Sequence, residues 1–298
     1  MRIATVGTFD GVHKGHQLLL SQLREMAKER EATPLVFVLT PHPLSLIAPE
    51  RAPKLLSSPQ QRLEMISRLL PEAEVRLLHF DERLRHLTHR DFMRMLRDEY
   101  GVSGILVGYD NRFGSDVNAS FADYQASAAA LGIETEHCQA LPGVSSSAVR
   151  KALLCGEVSK AADMLGHPYT LEGKVVHGNK IGRSIGFPTA NLLPDEAERL
   201  VPGRGVYAAL ALTPHATRKA IVNIGSRPTV DSSQNAPITI EAHLLDYQGD
   251  IYNQPMALQF VDRIRDEKQF PSLDALTSRL KADAEKAKTL LGNIQPKI

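Results

Sequence analysis

Residues 7–20 read GTFDGVHKGHQLLL, and they decide the fold of the first half of the chain. Just upstream, the apolar run Ile3 to Val6 has the length of a short buried strand, and from Leu18 onward apolar residues recur at the three- and four-residue spacing of a helix. His13 and His16 therefore lie at a strand-to-helix turn, where their spacing lets them share one face of the first helical turn. Unsatisfied backbone N–H groups and the positive end of the helix dipole make such a position an anion site. Gly11 and Gly15 remove side chains that would hold a triphosphate away from the backbone. The turn predicts binding of nucleotide phosphates.

Bulk composition narrows the class. A length of 298 residues suits two domains of ordinary size, and 43% hydrophobic residues permit real cores. The 35 basic residues stand against 34 acidic ones, which gives no electrostatic footprint for nucleic acid or for a membrane surface. No apolar run approaches the roughly 18 residues that span a bilayer. The chain enters its first strand without a signal-peptide pattern or a leader, so the expected location is the cytoplasm. Cys138 and Cys155 are too few for a disulfide framework or a zinc site and are expected to be reduced packing residues.

Strand-like runs recur at Pro34 to Leu39, Val75 to Phe80, Ile105 to Gly108 and Ile133 to His137, with helical patterns between them, which predicts a parallel sheet wrapped by helices. Ser58, Pro59 and Gln61 form a helix start with a capping box, Thr88 and Asp91 repeat it, and Gly101 stops the second of these helices. Ligands bind at the carboxyl ends of such strands. Three further segments fall there: PHP at Pro41 to Pro43, which aims His42 at the cleft; GYDNRFG at 108–114; and GVSSSAVRKAL, where serines cap a helix carrying Arg150 in its first turn.

Past LGHPY, residues 165–169, the periodicity changes. Runs at Leu171 to Val176, Val206 to Thr213, Lys219 to Ile224, Ile238 to Leu245 and Met256 to Val261 alternate apolar and polar residues between Gly, Pro, Asn and Asp turns. They predict a small antiparallel barrel, closed to protect its edges, with an amphipathic helix from Ser272. Within it, GNKIGRSIGFPTANL at 178–192 offers a loop with Gly178, Gly182 and Gly186 that can close on phosphates, and Thr189 and Asn191 present two oxygen ligands suited to magnesium. Glu241 interrupts an alternating strand, where an acid ordinarily faces solvent.

The first motif resembles the His-x-Gly-His signature of the nucleotidyltransferase superfamily that includes class I aminoacyl-tRNA synthetases, and its longer form is similar to that of bacterial bifunctional riboflavin kinase/FAD synthetases. The later segments follow in that family's order: PHP, a loop resembling G-x-D-F-x-F-G, an S-S-T/S-x-x-R helix start, and a run resembling the G-R-x-x-G-F-P-T-A-N motif of riboflavin kinases. NIGSRPT at 223–229, ITIEAHLLDYQGDIYN at 238–253 and RIRDEKQFPSLDAL from Arg263 extend the likeness over nearly the whole chain. The resemblance implies a Rossmann-like α/β nucleotidyltransferase domain over 1–166 and an antiparallel β-barrel riboflavin kinase domain with a C-terminal helix over 167–298. It implies that riboflavin is phosphorylated to FMN and that FMN is adenylylated to FAD, with ATP, riboflavin and FMN as substrates and magnesium as cofactor.

Residue roles carry over by motif position. His13 and His16 stabilise charge during attack on the α-phosphate; Gly7, Phe9, Gly15, Ser146, Ser147 and Arg150 bind that ATP; His42 and Asp110 lie by the FMN. In the kinase half, Gly178, Gly182, Arg183, Gly186, Pro188, Thr189 and Asn191 bind ATP, with Thr189 and Asn191 on the metal. Glu241 is the general base, and Arg265, Glu267 and Phe270 border the flavin. One position departs: Asn111 stands where the family has a phenylalanine, which leaves open the apolar contact to the isoalloxazine ring that the resemblance implies there. Other readings are a nucleotidyltransferase for a different phosphate ester, a tRNA-binding relative, and a flavin-binding regulator without catalysis. The barrel motif argues against the first, and the lack of a basic stripe against the second.

Overall fold

A computed structural model describes residues 1–109, 112–116, 118–177, 186–226, 238–292 and 294, and the chain divides into two compact units, Met1–Ser146 and Ser147–Ile298.

The first unit is built on a parallel sheet in the order β3-β2-β1-β4-β5, from β1 (Arg2–Gly7), β2 (Thr33–Thr40), β3 (Glu74–His79), β4 (Val102–Val107) and β5 (Glu134–His137). Its helices are α1 (Lys14–Glu29), α2 (Pro43–Ile47), α3 (Pro59–Leu69), α4 (Glu82–His86), α5 (His89–Tyr100) and α6 (Phe121–Ala129). Ile3 to Val6 of β1 are all buried, as in a strand covered on both faces. Ile3, Val36 and Leu106 pack with Leu23 and Ile66 of α1 and α3 on one side. Val6, Phe37 and Ile105 pack with Phe92, Met93 and Tyr124 of α5 and α6 on the other. Strand order reverses between β1 and β4, so the exits after Gly7 and Val107 flank the switch point at which open α/β sheets bind ligands.

Ser58 and Gln61 make the expected capping box on α3, and Gly101 ends α5 at φ 66°. Thr88 caps α5, but the Asp91 carboxylate takes the Thr88 hydroxyl at 2.7 Å instead of reaching back to the backbone, so the second box is half made. Helix α1 starts at Lys14, ahead of the apolar period, because His13 caps a first turn that is polar.

The second unit carries α7 (Ser146–Leu154), which starts at the boundary, and α8 (Val158–Leu165). They precede a closed antiparallel barrel in the order β10-β7-β6-β11-β8-β9, from β6 (Tyr169–Val176), β7 (Ala190–Pro194), β8 (Gly205–Leu212), β9 (Thr217–Ser226), β10 (Ile238–Leu244) and β11 (Pro255–Arg265). Helix α9 (Leu273–Leu291) is capped by Ser272 as expected. Strand β7 escapes a pattern reading because ANLLP is short and does not alternate; it closes the barrel by pairing with β6 and β10. The packing division falls before α7 instead of after α8, because these helices pack with the barrel: α8 contacts β6 and β11, and the Gly203 N–H donates to the Leu153 carbonyl at 2.8 Å.

Cys138 is buried in the first unit's core, where desolvation pushes its thiol up, whereas Cys155 is exposed and is not a packing residue. No helix among the described residues is long and apolar enough to cross a membrane.

Candidate active sites

The histidine turn is organised by its own side chains. His13 caps α1, its Nδ1 accepting the His16 backbone N–H at 3.3 Å. An accepting Nδ1 places the proton of a neutral imidazole on Nε2, which is then the donor. The two rings stack at 3.7 Å with 14° between planes, and Gly15 makes room, since a Cβ there would come within 3.1 Å of the His13 ring. Burial first, then His13 and Arg62, hold the His16 imidazole well below its usual value, so it is neutral near pH 7. Its Nδ1 is buried without a hydrogen-bond partner, a deficit worth about 1–3 kcal/mol that a ligand atom can meet.

The loop before that helix is strained. Phe9 at φ 49° and Val12 at φ 41° occupy a region that L residues with large or branched side chains rarely adopt. Such a conformation persists where surrounding contacts over-determine it. Here the buried Asp10 carboxylate accepts the Leu56 and Ser57 N–H groups, each at 3.0 Å, and faces the equally buried Arg62 guanidinium at 3.3 Å. Ser57 Oγ accepts the Gly11 N–H at 2.8 Å, and Ser146 Oγ donates to the Asp10 carbonyl at 3.0 Å. Sequence reasoning passed over Asp10, Ser57 and Arg62, although an arginine inside the apolar period of α3 was a signal. Within this network the Gly11 N–H is engaged by Ser57, and the Phe9 ring is fully buried.

In the second unit β10 runs between β7 and β9, which sets Glu241 directly opposite both Asn191 and Asn223. Ile240, Ala242 and Leu244 are buried, while Glu241 on the other face is only half-buried. Thr189 Oγ1 donates to Glu241 Oε2 at 3.4 Å. Glu241, Thr189 and Asn223 line a cavity of about 260 Å³ that is bounded opposite by Leu276 and Leu280 of α9. A carboxylate beside a hydroxyl and an amide carbonyl is the oxygen-rich set that a hard divalent cation accepts alongside phosphates.

Comparison with known proteins settles the family. Residues 1–149 match the FAD synthetase family and residues 165–291 the riboflavin kinase family. The bifunctional riboflavin kinase/FMN adenylyltransferase of Pseudomonas fluorescens is 37% identical over 97% of this chain and 92% of its own length, and that of Escherichia coli K12 is 34% identical over 99% and 94%. The chain belongs to the bifunctional riboflavin kinase/FMN adenylyltransferase family. A crystal structure described as a macrolide-efflux protein from Streptococcus pneumoniae, 30% identical, superposes with a TM-score of 0.84 over 96% of this chain and 93% of that one.

In the adenylyltransferase unit, His42 caps α2 by accepting the Leu44 N–H at 3.2 Å, and Gly7 spares the Phe9 ring a Cβ at 3.2 Å. Ser147 and Arg150 stand on α7 in the second unit, and because that helix starts at Ser146, Arg150 lies in its second turn, not its first. Asp110 and Asn111 lie outside the described residues, as do Gly178, Gly182 and Arg183. In the kinase unit, Gly186, Pro188 and Thr189 lead into β7, and Asn191 is buried within it. Arg265 lines the cavity, but its guanidinium is engaged by buried Asp283 of α9 at 2.8 Å, with the Phe270 ring 5.5 Å away. Glu267 also lines it, in space left by Gly225, where a Cβ would meet its carboxylate at 2.1 Å.

Proposed function

We propose that the chain makes FAD in two steps, with residues 167–298 phosphorylating riboflavin and residues 1–166 adenylylating FMN. The placement of Glu241 between Asn191 and Asn223, within reach of Thr189, is the observation that carries this reading. Glu241 takes the proton of the ribityl 5′-hydroxyl as that oxygen attacks the γ-phosphorus of ATP, and ADP leaves. Thr189 holds the Glu241 carboxylate in place and, with Asn191, supplies the oxygens for magnesium. A magnesium ion held there would supply positive charge to offset that on the transferred phosphoryl group. Arg265, Glu267 and Phe270 border the flavin side, Arg265 chiefly by tying α9 to the barrel.

In the adenylyltransferase, an oxygen of the FMN phosphate attacks the α-phosphorus of a second ATP and pyrophosphate leaves. The Nε2–H of His13 and the imidazole of His16 donate to phosphate oxygens as charge shifts toward the leaving group. Backbone at Gly7, Phe9 and Gly15 and side chains of Ser146, Ser147 and Arg150 hold the ATP, and His42 and Asp110 lie by the FMN. Neutral His16 suits this role, since its proton affinity rises as the phosphates approach. Incubation of purified protein with riboflavin and Mg-ATP, resolved by chromatography, is expected to show FMN first and FAD after it. Recovery of riboflavin alone rules the reading out, and FMN without FAD rules out its second half.

A further inference from the structure

Three side chains of the first unit that take no part in the histidine turn form a chain of hydrogen bonds. Asp116 accepts the His89 backbone N–H at 2.9 Å through Oδ1 and the His89 ring Nδ1–H through Oδ2. The other ring nitrogen, Nε2, stands 2.8 Å from Ser127 Oγ. With the Nδ1 proton committed to the carboxylate, Nε2 of a neutral imidazole is an acceptor, so the Ser127 hydroxyl donates to it. Burial works against charge on Asp116, but hydrogen bonds from the His89 backbone and ring outweigh it and hold the carboxyl below its usual range. Each member comes from a different segment. His89 opens α5 just after the Thr88 cap, Ser127 lies near the end of α6, and Asp116 follows Ser115, whose N–H donates to the Leu87 carbonyl at 2.8 Å. The Tyr124 ring packs 5.1 Å from the His89 ring, whose side chain is only 12% exposed. All three border a cavity of about 590 Å³, together with Asn118, Asp123 and Ala126.

We propose that Ser127, His89 and Asp116 form a further catalytic site of this chain, one that hydrolyses small acyl esters. Their order is that of a nucleophile, a general base and the group that orients the base. Ser127 Oγ attacks the ester carbonyl carbon, and a C–O bond forms as its proton passes to His89 Nε2. The bond to the alcohol oxygen then breaks, and the alcohol leaves with that proton. Water adds to the acyl-serine through the same base, which releases the carboxylic acid and restores the Ser127 hydroxyl. The Ser127 N–H is spent inside α6, so the charge that develops on the carbonyl oxygen falls to the side-chain amide of Asn118 at the cavity wall. The Asp116 and Asp123 carboxylates at the cavity repel an anion, which selects a neutral or cationic ester. Neither the histidine turn nor Glu241 enters, so the proposal stands apart from the reading of the two flavin reactions.

The release of p-nitrophenolate from uncharged p-nitrophenyl acetate by the full chain tests this, alongside a fluorophosphonate that labels activated serines. The unmodified chain is expected to turn the ester over with saturation and to carry the fluorophosphonate on Ser127, located by peptide mass spectrometry. Ser127→Ala should lower kcat/KM for the ester about a hundredfold or more and abolish the label. Riboflavin phosphorylation in the same preparation should be unchanged, which reports an intact chain. Asp116→Asn keeps the shape but no longer fixes the tautomer of His89, so it should slow ester turnover with Ser127 still in place. Turnover no faster than in buffer, turnover that survives Ser127→Ala or Asp116→Asn, or a label on another residue overturns the proposal.

Discussion

Single residues divide the two chemistries. His16→Ala should lower FAD formation about a hundredfold or more and leave FMN formation intact, as loss of one transition-state donor does; product ratios from riboflavin check it. His16 also titrates abnormally. Because its folded value is depressed, the unfolded chain binds more protons below the ordinary value of 6.5, so stability falls as pH drops from there toward the folded value and levels off below it. The His16 ring resonance in NMR should titrate below 6.5 in free protein and move upward when ATP is added. Glu241→Gln keeps shape and hydrogen-bonding reach but cannot take a proton, so riboflavin phosphorylation should fall by roughly two to four orders of magnitude while riboflavin binding, read by fluorescence quenching, changes little. Near-normal turnover of that variant removes Glu241 from the mechanism. Alternation alone marks Glu241 as a surface acid; its two cross-strand asparagines arise from strands 18 and 50 residues away, a relation that local pattern does not carry.

At the scale of elements, the pattern of residues announced most strands and helices, because apolar period and caps are local. Strand β7 escaped because it is fixed by its neighbours on either side. The Asp10–Arg62 pair escaped for a similar reason: it joins the loop before α1 to α3 across a long stretch of chain. Its partners are buried, so Asp10→Asn leaves an uncompensated guanidinium and should cost about 3–5 kcal/mol in urea unfolding of the first unit. FAD formation should fall with it, since the left-handed Phe9 and Val12 lose the contacts that hold them. Adding Arg62→Met to that variant should recover part of the stability, because an absent pair is tolerated better than half of one. No recovery in the double variant assigns the loss to the Ser57 hydrogen bonds instead.

For the whole molecule, each unit has its own sheet, and the proposed ATP sites are separate. Asn191→Ala should therefore stop riboflavin phosphorylation while supplied FMN still becomes FAD, with circular dichroism confirming the fold; failure to use FMN counts against separate sites. The two sheets guard their edges differently. The open one places Glu74, Arg76, Glu134 and Glu136 on its outer strands, whereas the other closes on itself. Closure bears on how such an enzyme can change over generations. A strand bonded on both sides cannot slide without breaking two ladders, so the Asn191–Glu241–Asn223 row is indexed by hydrogen bonds, with neighbours about 4.8 Å apart. Loop lengths around the barrel are then free to drift in evolution while the reacting groups keep their spacing, and the only other arrangement open to β10 is a whole two-residue step that takes Glu241 out of the row.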